Sequence, residues 1–98
     1  MVKCLTSDEI MEKIKANNGV HVDDDRHLDI KSRKLYKIKV TSDNNDIVEI
    51  KVESEKYVNN DMWGIEIKPT NENEFPQIYA HFSNYKDLEY VLTSIGAL

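Results

Sequence analysis

The chain has 98 residues, a single cysteine, 13 lysines and arginines against 18 aspartates and glutamates, and a formal net charge of −5. That length suits one globular domain, 1–98, with a core that needs no covalent staples, because a chain of this size buries roughly 60–70% of its unfolded surface. Cys4 alone excludes an internal disulfide, the acidic balance argues against direct nucleic-acid binding, and no apolar run approaches the ~20 residues of a membrane span. Met1 to Leu5 lacks the basic and apolar regions of a signal peptide, so a cytoplasmic location is expected.

The first expected element is a helix opening near Ser7. Thr6, Ser7, Asp8 and Glu9 supply a cap, early acids for the helix dipole and the Thr6-x-x-Glu9 spacing of a capping box. Ile10, Met11 and Ile14 form a narrow apolar stripe, with Leu5 available as a staple, which suits a surface helix laid on a sheet. Asn17, Asn18 and Gly19 end it, with Gly19 as the left-handed residue. Residues 20–34 leave alternatives open. Val20 and Val22 suit a short strand, Asp23 to Asp25 a turn, and Leu28 and Ile30 an extra edge strand at 27–31.

Leu35 to Glu53 reads as a β-hairpin. Tyr36, Ile38 and Val40 share one strand face, as do Val48, Ile50 and Val52, and Ser42 to Asp46 carries turn-forming residues. All six apolar residues stay on one face only if the loop holds an odd number of residues. A three-residue loop, Asp43 to Asn45, pairs Val40 with Val48 and Ile38 with Ile50; a five-residue loop is the fallback. Residues 54–61 read as a connection anchored by Tyr57 and Val58. Met62 to Lys68 is the next strand, with Trp63, Ile65 and Ile67 facing the core and Gly64, Glu66 and Lys68 facing out. Pairing Ile50 with Ile67 and Val52 with Ile65 opposes Lys51 to Glu66 and Glu49 to Lys68, each pair worth about 0.2–1 kcal/mol, and is the preferred register.

Pro69 stops that strand and residues 70–74 form a polar loop. Pro76 to Phe82 is a strand with Ile78, Ala80 and Phe82 inward and Gln77, Tyr79 and His81 outward. Ser83 or Asn84 caps a second helix, whose stripe is Tyr85, Leu88, Val91, Leu92 and Ile95, and Gly96 ends it. The fold class is α+β: a single antiparallel sheet of four strands, or five, with N- and C-terminal helices on one face in the order α-β-β-β-β-α.

Chemistry is sparse. His21, Asp23, Asp24, Asp25 and His27 offer imidazoles and carboxylates, but without the alternating ligands and turn glycine of a calcium loop they read as a solvated turn neutralised by Arg26. His81 and Tyr79, with Lys37, Lys39 and Lys51, read as exposed sheet residues, and Trp63 as core. No nucleophile elbow or phosphate loop is present, so neither an enzyme nor a cofactor or metal is expected. The expected function is non-enzymatic inhibition or regulation of another protein with a basic surface. Asp23, Asp24, Asp25, Glu53, Glu55, Asp61, Glu72 and Glu74, taken as loop acids, would occupy a basic groove of a nucleic-acid-handling enzyme. A ligand- or metal-binding module sensitive to His21 and His27 is the alternative.

Lysine outnumbers arginine eleven to two, and asparagine and isoleucine are abundant, a bias of AT-rich coding. In this profile the chain resembles the small acidic proteins of phages and mobile elements, including anti-CRISPR inhibitors, and toxin-immunity proteins. The resemblance is compositional and transfers no residue. The strand Leu35 to Thr41 is an expected sheet edge, covered by an added N-terminal strand or kept monomeric by Lys37 and Lys39.

Overall fold

The computed structural model describes residues 4–23, 29–58, 61–68 and 75–98. The chain runs α1 (Ser7–Ala16), β1 (Val20–His21), β2 (Ile30–Thr41), β3 (Ile47–Tyr57), β4 (Trp63–Lys68), β5 (Ile78–Phe82) and α2 (Tyr85–Ser94). The strands form one antiparallel sheet in the order β1-β5-β4-β3-β2. Both helices pack on the same face. No helix among the described residues is long and apolar enough to cross a membrane.

Local chemistry sets the helix ends. Thr6 is the N-cap of α1, and its side chain and that of Glu9 complete the capping box. At the other end Asn18, not Gly19, takes the left-handed conformation, with φ of 62°. Gly19 N–H donates to Ile14 C=O at 2.8 Å, which closes a Schellman motif. Gly19 is required for a different reason: an added Cβ would lie 2.5 Å from Ile14 Cγ2 and 2.6 Å from Phe82 Cε1. Asn84 caps α2 through the Asp87 N–H, and Gly96 ends it at φ of 87°.

The β2–β3 hairpin has the expected register, Val40 opposite Val48 and Ile38 opposite Ile50, across the three-residue loop Asp43 to Asn45. Both strands are longer than their apolar pattern. β2 begins at Ile30, with a register shift between Ile30 and Ser32, so 30–31 extend this strand rather than form another. β3 continues to Tyr57, so Glu53 and Glu55 are strand residues and not loop acids. Twelve residues at about 3.3 Å each make β2 comparable in length to the 40 Å long dimension of the molecule.

The β3–β4 register is shifted by two residues from the expected one: Val52 lies opposite Ile67 and Lys51 opposite Lys68. The expected Ile50–Ile67 pairing takes residues 54–61 as a connection. The chain instead continues β3 to Tyr57, whose N–H donates to Met62 C=O at 3.3 Å, and this added pairing fixes the register. The shift also lets Tyr57 lie across Gly64, where it is buried.

One core joins α1 (Ile10, Ile14) and α2 (Leu88, Val91, Leu92) to the inward residues of the sheet, among them Ile38, Val40, Ile50, Val52, Ile65, Ile67 and Phe82. Each such side chain contributes roughly 1.5–3 kcal/mol on full burial. Phe75, not anticipated in the core, is buried with them. The other face of the sheet carries no helix among the described residues.

Candidate functional site

The helix-free face is built on β2, β3 and β4. Glu53, Glu55 and Tyr57 alternate along β3, so period two puts all three on this face. The shifted register brings Glu66 of β4 opposite Glu53, and the hairpin brings Arg33 of β2 opposite Glu55. The three carboxylates lie within 4.8 Å of one another. They are also hidden: Glu53 and Glu66 are 9% exposed and Glu55 3%.

Among the described residues, Arg33 and Lys68 hold them. Arg33 Nε lies 3.3 Å from Glu53 Oε2 and 3.7 Å from Glu55 Oε1. Lys68 Nζ lies 3.3 Å from Glu66 Oε1 and 3.9 Å from Glu53 Oε1. Tyr57 Oη donates to Glu55 Oε2 at 3.3 Å, and Gln77 Nε2 to Glu66 Oε1 at 3.4 Å. Glu53 Oε2 is buried and makes no hydrogen bond, so only charge attraction to Arg33 offsets its desolvation. Three carboxylate oxygens would suit a hard cation, but Arg33 and Lys68 already occupy that role, which accounts for the clustering. The Tyr57 ring packs edge-on to His81 at 5.2 Å, and Tyr79 Oη bonds Gln77. The face is a fixed lattice of paired charges and aromatic rings.

A second feature lies on the helix side, beside the N-terminal end of α2. Ser32 and Lys34 of β2, Ser54 and Lys56 of β3, Trp63 and Tyr85 line a groove of about 450 Å³. Cross-strand pairing sets Ser32 against Lys56 and Lys34 against Ser54, so hydroxyls and ammonium groups alternate on its floor. Trp63 forms its wall, with the Tyr85 ring at 4.7 Å and Lys56 Nζ at 5.0 Å from the indole centroid. Trp63 is therefore half-buried at a rim rather than a central core residue.

Of the acids expected to act together, Glu53, Glu55, Asp23 and Asp61 lie among the described residues. Glu53 and Glu55 are committed to Arg33. Asp23 and Asp61 are exposed, but Asp23 follows β1 near the Ile67–Ile78 end of the sheet and Asp61 precedes β4 at the Trp63–Phe82 end. Asp24, Asp25, Glu72 and Glu74 lie outside the described residues, as does His27; His21 is exposed on β1. Arg33, Glu66 and Lys68 were not singled out from the sequence. The signal for them was the Glu53–Glu55–Tyr57 alternation. No family model matches the sequence, and neither the curated proteins nor the solved structures yield a significant match.

Proposed function

We propose that this is a non-enzymatic binding protein that inhibits or regulates another protein. The observation that supports it is the segregation of charge. β2 carries Lys31, Arg33, Lys34, Lys37 and Lys39 and no carboxylate, so a chain of net −5 is +5 on this strand and −10 on everything else. A field divided in this way orients a partner and speeds encounter. The acidic remainder suits a basic groove of a nucleic-acid-handling enzyme, as a phage-type inhibitor would use it, with the fixed helix-free face alongside.

Affinity capture from a low-GC bacterial lysate tests this reading. A stoichiometric protein partner is expected, released by salt. Its affinity is expected to fall at least roughly tenfold when Asp23, Asp24, Asp25, Asp61, Glu72 and Glu74 become Asn or Gln. No partner, or one indifferent to those changes, removes the reading.

The groove favours a second reading, a module for a small anion with an apolar body. Two lysines and two hydroxyls can receive a phosphate or carboxylate while Trp63 and Tyr85 receive the ring, and the volume is in the range of small-molecule sites. Trp63 is the only tryptophan in the chain, so its fluorescence reports the site directly. Titration with adenosine monophosphate is expected to give a saturable change that Lys34→Glu abolishes. An unchanged spectrum at millimolar nucleotide rejects this reading.

A further inference from the structure

β2 is an outer strand of the sheet, and among the described residues Cys4 and Leu5 reach its free side at the C-terminal end, Leu5 through a parallel bridge to Val40 and Cys4 C=O by accepting from Thr41 Oγ1 at 3.1 Å. Neither 20–22 nor 30–31 covers it: β1 pairs with β5 at the opposite edge, and 30–31 belong to β2 itself. Two hydrogen bonds fix the direction of its backbone. Ser42 N–H donates across the hairpin to Asp46 C=O at 2.8 Å, whereas Thr41 N–H donates outward to Leu5 C=O at 3.0 Å. Antiparallel pairing alternates residue by residue, and the register is unbroken from Ser32 to Thr41. Arg33, Leu35 and Lys37 therefore turn both backbone polar groups to the free side, joined by the N–H of Lys39.

An edge of this length is a template for strand addition. The side chains decide what can add. A second copy of β2 would bring five cations against five. Lysines on an edge ordinarily prevent pairing for that reason, but the same field favours an incoming strand of opposite charge. Leu5 shows that the edge accepts an extended segment at its Val40 end, and among the described residues no strand pairs with the rest of it.

We propose that β2 binds an extended acidic segment of a partner protein by strand addition, pairing backbone to backbone over Arg33 to Lys39 with carboxylates set among its lysines. This rests on the protein-binding reading above and assigns the chemistry of one contact. The basic strand would select the acidic segment while the acidic remainder of the molecule meets other parts of the partner.

The test is titration of the full protein with a capped heptapeptide alternating glutamate and valine. Binding at low salt is expected, with hydrogen exchange slowed at the amides of Leu35, Lys37 and Lys39. The even-numbered amides, already paired within the hairpin, should not change. Methylating alternate peptide nitrogens, or introducing Lys37→Glu with Lys39→Glu, is expected to weaken binding at least roughly tenfold.

Absence of binding, or equal binding of the methylated peptide, overturns strand addition; so does binding of oligothymidylate with no binding of the peptide. Because the methylated peptide is tested on the unaltered protein, a misfolded double variant does not rescue the proposal. A lysate partner captured equally well by wild-type protein and a folded double variant would overturn strand addition while leaving the binding-protein reading intact.

Discussion

Gly64→Val is expected to lower the melting temperature by roughly 10–20 °C, corresponding to about 2–3 kcal/mol for a domain of this size. Gly64 sits on the helix-free face of β4 yet is buried, because the Tyr57 ring lies across it. A Cβ at this position would lie 2.8 Å from Tyr57 Cζ and closer still to its hydroxyl. The ring cannot swing aside cheaply. Its edge contacts His81, and its hydroxyl is bonded to Glu55 within the carboxylate cluster. Valine would therefore displace the ring and loosen Glu55 with it. In a Tyr57→Ala background the same substitution meets little resistance and should cost under about 1 kcal/mol, a coupling within the range seen for residues in contact. Thermal melts of the four proteins in this cycle check it. An equal cost in both backgrounds would mean that the collision with Tyr57 is not the cause.

The same contact explains what the sequence conveys and what it hides. Six apolar residues and an odd-numbered loop decide the β2–β3 register, because a one-residue slip would turn every apolar side chain to water. Between β3 and β4 parity is no guide: pairing Ile67 with Ile50 or with Val52 leaves the same residues inward. Charge opposition worth a few tenths of a kcal/mol then favours the wrong choice. It is outweighed by burial of the Tyr57 ring over Gly64, and the like-charged neighbours Glu53 and Glu66 are reconciled through Lys68 and Arg33. The carboxylate cluster is hidden for two reasons: the other pairing sets Glu53 opposite Gly64 rather than Glu66, and Glu55 and Arg33 lie beyond the apolar pattern of their strands. Glu-Ser-Glu-Lys before Tyr57 looks like a solvated loop by composition, although its alternation is that of a strand. The groove is less legible still. Ser32, Lys34, Ser54 and Lys56 have the composition of any wet surface, and only the tertiary meeting of Trp63 with Tyr85 gives them a wall.

Arg33→Met is expected to destabilise the protein by about 1–3 kcal/mol, read as a shift in the urea midpoint at constant slope. Methionine keeps much of the aliphatic packing and removes the charge. Glu53 and Glu55 would then lose their shared cation while remaining almost wholly shielded from water, and Lys68 reaches only Glu53 and Glu66. The arginine side chain is itself 49% exposed, so solvent screens part of the interaction and the loss falls below the ~3–5 kcal/mol of a fully buried pair. Lys37→Met is the control. Its contact with Glu49 at 3.9 Å joins two exposed side chains, and its removal should stay within about 0.5 kcal/mol. Adding Glu53→Gln and Glu55→Gln to Arg33→Met should recover at least half of the lost stability, because the uncompensated charges disappear with the cation. If Arg33→Met costs no more than Lys37→Met, or if the two glutamines deepen the loss, the cluster is held together by something other than charge balance.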